Sequence, residues 1–225
     1  MPVYALGSRP VFPDPRRAEP DGLLAVGGDL APARLLQAYR RGIFPWYGED
    51  SPILWWSPPE RAVFLPGAPR LSRRTQRALR QLDFQVRRDT CFGAVIAACS
   101  SIPRPGQDGT WISPEMRAAY LALHRQGYAH SFEAFRDGRL VGGLYGISLG
   151  AAFFGESMFS AESYASRAAF AELCRQAWDW GFAFIDGQLP NPNLDDLGAR
   201  VVDREAFLDL LARALEQPTR RGAWT

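Results

Sequence analysis

The sequence predicts an α+β protein in two parts, a small N-terminal module over residues 1–60 and a larger domain over residues 61–225. Three observations predict it. Residues 1–60 crowd Pro, Gly and Trp into short strings, Phe12-Pro13-Asp14-Pro15, Gly27-Gly28-Asp29, Phe44-Pro45-Trp46 and Trp55-Trp56-Ser57-Pro58-Pro59, so turns are expected to dominate there. Beyond Arg61, helical and strand patterns become regular and follow one another. At 225 residues with 47% hydrophobic and 22% charged, the chain carries enough apolar surface for one core with a smaller appended unit.

The elements follow in order. The N-terminal part holds one clear helix, about Pro32 to Arg41, with Asp29 or a neighbour near its cap, Leu35, Leu36 and Tyr39 apolar, and Gly42 to stop it. Arg61 to Leu65 reads as a strand, Ser72 as the N-cap of the next helix, and Phe84 to Arg87 as a second strand. Ser113-Pro114-Glu115 opens the best-written helix, which runs to Gln126 with Met116, Ala119, Tyr120 and Leu123 on one face and Gly127 beyond its end. Leu140 to Gly146 and Ala151 to Gly155 read as a hairpin turning at Leu149-Gly150. A helix from about Tyr164 to Trp180 leads into a strand from Phe182 to Asp186, and Asp203 caps a last helix that reaches Glu216. No internal repeat is visible.

Composition excludes several classes. The net charge is +2, from 26 Lys+Arg against 24 Asp+Glu, so overall balance does not announce a polyanionic partner. Cys91, Cys99 and Cys174 are an odd number without CxxC spacing, and reduced, buried thiols are expected. No apolar run approaches the ~18 residues of a membrane span, and the N-terminus lacks a signal-peptide core. A cytoplasmic protein without a membrane partner is the expectation.

Some residues stand out chemically. Asp186-Gly187-Gln188 closes an apolar strand, and Asp186 and Gln188 share a face if the strand continues; a turn aspartate beside a surface glutamine is the plain alternative. Glu156 likewise follows a strand, where a solvated strand end is the ordinary reading. Between Arg70 and Arg80 lie five arginines and no acid. On a helix Arg73, Arg77 and Arg80 form one stripe, joined by Arg74, able to track phosphates; a solvated helix face is the alternative.

Taken together, longer strings resemble one family. Gly22-Leu23-Leu24-Ala25-Val26-Gly27-Gly28-Asp29-Leu30, Tyr39-Arg40-Arg41-Gly42-Ile43-Phe44-Pro45-Trp46 and Ile53-Leu54-Trp55-Trp56-Ser57-Pro58 are similar to the N-terminal half of leucyl/phenylalanyl-tRNA protein transferases. Thr110-Trp111-Ile112, Ala119-Tyr120, Leu123-His124, Ala129-His130-Ser131 with Glu133, Gly155 to Ser160, Asp186 with Gln188, and Leu197-Gly198-Ala199 continue the likeness in that family's order. The resemblance spans about residues 10 to 210. It implies a C-terminal mixed-sheet domain like that of the N-acetyltransferase (GNAT) superfamily, with aminoacyl-tRNA in place of acyl-CoA. It implies transfer of Leu, Phe or Met from charged tRNA to proteins or peptides that begin with Arg or Lys, marking them for N-degron degradation. No cofactor and no metal are expected. Ser160 to Ser166 contains no glycine and carries Glu162, which disfavours a pyrophosphate-binding loop and hence CoA.

The resemblance also implies roles. Asp186 orients and partly deprotonates the attacking amine, Gln188 holds the reacting groups or the oxyanion, and Glu156 supports the acceptor. Trp46 and Trp111 border the terminal adenosine, and Tyr120, Leu144, Phe153, Met158, Phe170 and Leu173 form the apolar side-chain pocket. Where the family usually has Arg, Asn and Lys after Ser160, this chain has Ala161, Tyr164 and Arg167; near Asp186 it has Gly187, Asn193 and Asp196 for Cys, His and Ser.

Rival readings are weaker. Gly155-Glu156-Ser157 begins like a nucleophile elbow, but Phe159 stands where a small residue is required. His124 and His130, the chain's two histidines, are separated by Gly127 and do not share a helix face; each reads as a hydrogen-bonded structural histidine. A non-catalytic tRNA- or RNA-binding module that keeps the arginines and tryptophans is the alternative from another class.

Overall fold

A computed structural model describes residues 3–48, 50–102 and 112–224. The N-terminal region contains more strand than its turn residues suggest. Strands β1 (Tyr4–Leu6), β2 (Leu23–Gly27), β3 (Phe44–Pro45) and β4 (Leu54–Trp56) form a sheet in the order β1-β2-β4-β3. None exceeds 5 residues, too short for a period of two to show in the sequence. Trp55 lies wholly inside, and its indole donates to the Gly27 carbonyl at 2.9 Å, tying β4 to β2. Helix α1 (Pro32–Arg40) begins with Pro at its first turn, where a missing N–H costs nothing. Its cap residue is Ala31; Asp29 instead accepts from the Ala31 N–H and from the buried Arg34 guanidinium, which also donates to the Gly7 and Arg9 carbonyls.

The remaining strands are β5 (Glu60–Phe64), β6 (Gln85–Arg88), β7 (Ala129–Arg136), β8 (Arg139–Leu149), β9 (Ala152–Ser160), β10 (Phe184–Gln188) and β11 (Arg200–Asp203). They make one sheet in the order β11-β5-β10-β9-β8-β7-β6, antiparallel throughout except for β9 beside β10. It is therefore a mixed sheet. Helices α2 (Arg73–Leu82), α3 (Phe92–Ser101), α4 (Pro114–Arg125), α5 (Ala165–Asp179), α6 (Pro192–Leu197) and α7 (Arg204–Leu215) complete the chain. The caps follow the sequence: Ser72, Ser113 and Asp203 accept from the N–H groups of Thr75, Met116 and Ala206. Such bonds contribute about 1 kcal/mol each by satisfying amides that the helix cannot.

Strand alternation divides the core. Leu144, Phe153 and Ile185 pack with Phe170 and Leu173 of α5 on one face. Their neighbours Tyr145, Phe154 and Phe184 pack on the other, with residues of α1, α3, α4 and α7 and with Trp55 of the first sheet. Successive side chains of a strand point to opposite faces, so the sheet lies between these two layers. Trp224, near the end of the chain, is buried and stacks on His130 with ring centroids 3.7 Å apart. His130 bonds Asp89 through Nδ1 at 2.8 Å, and His124 bonds the Ala129 carbonyl, so each histidine has a structural partner. Cys99 and Cys174 are buried and Cys91 half-buried, all three as free thiols. Among the described residues no helix is long and apolar enough to cross a membrane.

Candidate active site

Two parallel strands that part company create the site. β9 and β10 pair from Phe184 with Ala152 to Asp186 with Phe154, and no further. Just there both strands bulge. Opposite β8, Tyr145 faces Ser157 and Gly146 faces Gly155, leaving Glu156 as the extra residue; opposite β5, Asp186 faces Val63 and Gln188 faces Ala62, leaving Gly187. A bulge re-aims a side chain and increases local twist. Gln188 takes φ 63 to make its turn, an uncommon conformation for a residue with a side chain.

The gap is a cavity of about 350 Å³ with Phe64, Leu144, Met158, Phe170, Leu173 and Leu194 among its apolar walls, and Glu156, Asp186, Asn191 and Asn193 among its polar ones. A Cβ added to Gly187 would lie 2.9 Å from Leu194 Cδ1, so Leu194 occupies the space a larger residue would need. Arg167 and Asp196, two of the positions where this chain departs from the family pattern, approach each other at 3.7 Å.

Glu156 is held from several sides. Tyr39 of α1 donates to its Oε1 at 2.7 Å, Tyr120 of α4 to its Oε2 at 2.7 Å, and Gln188 Nε2 to Oε1 at 2.9 Å. Burial pushes its pKa up to about 7; the two tyrosine hydroxyls oppose the rise, the Asp186 charge adds to it and Arg61 reduces it. The plain alternative of a solvated strand end is thus replaced by a carboxyl enclosed by two hydroxyls and an amide. Tyr39 and Tyr120 are themselves held well above the ordinary phenol value, by burial first and then by the Glu156 charge.

Asp186 has a different setting. It is wholly buried, and both of its carboxylate oxygens bond the Arg61 guanidinium; Oδ1 also accepts from the Gln188 backbone N–H at 2.8 Å. Arg61, itself buried, donates to the Gly42 carbonyl at 2.9 Å and lies over the rings of Phe44 and Phe207. The pair is closed, and its carboxylate fixes the backbone that aims Gln188 at Glu156.

The other expected residues fall into three groups. Leu144, Met158, Phe170 and Leu173 line the cavity. Tyr120 and Phe153 do not form its wall. Tyr120 spends its hydroxyl on Glu156, and the Phe153 ring lies in the core against Gly146 and Trp224, because the bulge after Gly155 shifts the wall to Met158. Trp46 is 37% exposed with its ring edge-on to Trp56, and Trp111 lies outside the described residues. Arg73, Arg74, Arg77 and Arg80 are all exposed on α2, beside α5, where Arg167 donates to Thr75. Tyr39, Arg61, Phe64 and Leu194 were not singled out as site residues from sequence. A tyrosine within an apolar helix stripe and an arginine opening an apolar strand look like packing until the tertiary contacts are known.

An apolar chamber that ends at a carboxyl, an amide and a closed ion pair is the candidate site on this α+β scaffold. Two family models match the chain: leucyl/phenylalanyl-tRNA protein transferase over residues 63–212, and the N-terminal domain of the same family over residues 28–59. Relatives bearing that name are 54% identical in Desulfatibacillum aliphaticivorans (100% of this chain, 97% of the relative) and 54% identical in Anaeromyxobacter sp. strain K (100% and 96%). One from Myxococcus xanthus is 51% identical (100% and 97%). The chain belongs to the leucyl/phenylalanyl-tRNA protein transferase family, enzymes that pass an aminoacyl group from tRNA to protein. Among solved structures, a functionally unknown conserved protein from Staphylococcus epidermidis aligns with TM-score 0.43 at 9% identity over 80% of this chain and 68% of its own. That likeness carries no argument.

Proposed function

We propose that the cavity between β9 and β10 receives the aminoacyl side chain, and that transfer to the acceptor amine takes place at its Glu156–Gln188 end. The observation that supports this reading is the cavity's composition: about 350 Å³ walled by Phe64, Leu144, Met158, Phe170, Leu173 and Leu194. A charged side chain there would be desolvated without a partner, at a cost of several kcal/mol, whereas Leu, Phe and Met gain by burial. The acceptor begins with Arg or Lys, and its modification marks a protein for degradation in the cytoplasm.

An aminoacyl ester is already activated, and an α-amine of pKa ~7.7–8.0 is partly neutral near pH 7. Placement therefore dominates. Holding amine and carbonyl in attack geometry contributes ~7–11 kcal/mol. Gln188 carries the amide that orients the reacting groups, and Asp186 is a positioning residue that acts through the Gln188 backbone and Arg61. Trp46 and Trp111 stack the terminal adenosine, and the arginines of α2 follow the phosphates of the tRNA. The mixed sheet, with hairpin β8–β9, crossover helix α5 and parallel β10, supports a GNAT-like domain from residue 61 onward, preceded by the small module of residues 1–60. The test is transfer of labelled leucine from leucyl-tRNA to a peptide that begins with Arg. Met158→Trp, which fills the cavity, should abolish transfer while tRNA binding persists; transfer at the wild-type rate in that variant would refute the placement.

A further inference from the structure

Three oxygen-bearing groups meet at the end of the cavity: Tyr39 and Glu156 at 2.7 Å, Tyr120 and Glu156 at 2.7 Å, and Tyr39 and Tyr120 with hydroxyl oxygens 2.5 Å apart. Counting protons decides the state of this triangle. With Glu156 ionised, both hydroxyls donate to the carboxylate, and two protons serve three contacts. The tyrosine oxygens would then face each other with lone pairs only, which leaves their hydrogen bond without a proton. One more proton closes the ring, so that every edge carries one donor and one acceptor. Gln188 already donates to Oε1, which favours Oε1 as the carbonyl oxygen. The resting ring, with Glu156 neutral, therefore runs from Oε2–H to Tyr120, from Tyr120 to Tyr39, and from Tyr39 to Oε1; Tyr120 donates to Oε2 only when Glu156 is ionised.

We infer that Glu156, Tyr39 and Tyr120 form a closed three-proton hydrogen-bond ring in which Glu156 is a neutral acid that shuttles the proton of aminoacyl transfer. This rests on the reading of the cavity as the place of transfer. In the reaction the amine nitrogen bonds the ester carbon, the bond from that carbon to the ribose oxygen breaks, the nitrogen loses one proton and the ribose oxygen gains one. Glu156 lines the cavity. It gives its proton to the departing ribose oxygen and takes one from the nitrogen. Because the ring can circulate in either sense, a proton received on one carboxyl oxygen is equivalent to a proton lost from the other. The ring holds three protons before and after, and no other reactant is required. Tyr39 and Tyr120, both wholly buried, are positioning residues that couple the two oxygens of Glu156, while burial of the carboxyl keeps it protonated against the pull of their hydroxyls.

The test uses the full chain. Infrared spectra at about pH 5 and about pH 9, on either side of the Glu156 titration, report the C=O stretch of a protonated carboxyl. The wild type at low pH should show a component of that band which Glu156→Gln lacks, and the component should disappear as the wild type titrates. Its midpoint should move upward in Tyr39→Phe, because an ionised carboxylate loses a charge-assisted donor there. Glu156→Gln keeps one donor and one acceptor in the ring but cannot exchange a proton. It should slow transfer at least ~100-fold while leucyl-tRNA still binds. Identical bands in the wild type and Glu156→Gln, or an unmoved midpoint in Tyr39→Phe, overturn the ring. Wild-type transfer by Glu156→Gln, with Met158→Trp inactive, overturns the shuttle and leaves the cavity as the site. Wild-type transfer by both variants removes the cavity assignment, and the shuttle with it.

Discussion

Removing the Asp186 carboxylate should cost more in stability than an ordinary polar substitution. In Asp186→Ala the Arg61 guanidinium stays buried and loses both of its carboxylate contacts. What remains is the Gly42 carbonyl at 2.9 Å and the rings of Phe44 and Phe207, 4.9 and 4.2 Å from Cζ. Cation–π contacts contribute ~0.5–2 kcal/mol and are already present in the wild type, so they do not compensate. Breaking a buried pair from one side costs ~3–5 kcal/mol. Against a total of ~5–15 kcal/mol for a domain, that is enough to depopulate the native state. The Gln188 N–H would also lose its acceptor, at a residue with φ 63. Urea unfolding followed by tryptophan fluorescence measures the loss, with transfer normalised to the folded fraction. Asp186→Ala should remain at least ~10-fold slower after that correction, because Gln188 is no longer aimed. The double variant Arg61→Met with Asp186→Leu should be much less destabilised than the sum of the two single changes, since a buried pair replaced by packed apolar groups is neutral or stabilising by ~1–4 kcal/mol. A single-variant loss below ~1 kcal/mol, or additive singles, would refute the claim that this pair holds the site.

Four further outcomes follow from the same geometry. The Glu156 pKa is raised to about 7, so its contribution to stability is fully present below the unfolded value of about 4.5 and is lost as pH rises through 7; Glu156→Gln, which cannot ionise, should gain on the wild type across that window, by at most ~3 kcal/mol and less because the side chain is only partly buried. A stability difference between the two that is flat with pH would contradict the assignment. Neutralising Arg73, Arg77 and Arg80 together should weaken tRNA binding and flatten the log–log salt dependence by roughly two to three units; an unchanged slope makes the stripe a solvated face. Phe153→Ala should destabilise by ~3–5 kcal/mol without altering leucyl over isoleucyl preference, because the ring lies in the core, whereas Phe170→Ala opens the cavity and should raise isoleucyl transfer relative to leucyl. Equal effects of the two substitutions on selectivity would show that Phe153 does reach the aminoacyl group. Deleting Trp224 should lower stability by ~3–5 kcal/mol through the lost packing on His130, Phe153 and Phe182, measurable as a fall in the urea midpoint; an unmoved midpoint would mean that the end of the chain only rests on the surface.

Much of the fold was legible in the sequence where one local signal decides. Ser72, Ser113 and Asp203 act as caps as their positions suggest, because a side-chain oxygen followed by a periodic apolar face leaves the backbone few alternatives. The hairpin β8–β9 was visible in outline, although both strands run well beyond the apolar stretches that mark it. Elements without such signals were left unread, α3 and β7 among them. α3 (FGAVIAACSS) carries Gly93, Ala94 and Ala97 on its outer side where charged residues would mark a polar face, so its period is hidden. β7 (AHSFEAFR) buries His130, Ser131 and Glu133 against Asp89 and Thr90, so its polar residues read as a loop until their partners are in place.

The site was less legible for a related physical reason. Asp186, Gln188 and Glu156 were visible as polar residues at strand ends, but strand ends are common places for solvated carboxylates, and alternation alone assigns them no partner. Their setting is produced by an interruption of alternation. Glu156 and Gly187 are the extra residues of two bulges on adjacent strands, and a bulge contributes no periodic signal from which it can be predicted. Both bulges begin where the parallel pairing of β9 with β10 ends. The same irregularity therefore opens the cavity and turns Glu156 toward Tyr39 of α1 and Tyr120 of α4, residues 117 and 36 positions away in sequence. Contacts drawn from three such distant segments exist only when α1, α4 and β9 are folded together. Loosening the contact of α1 with the larger domain should consequently impair acid–base chemistry before it impairs the apolar cavity.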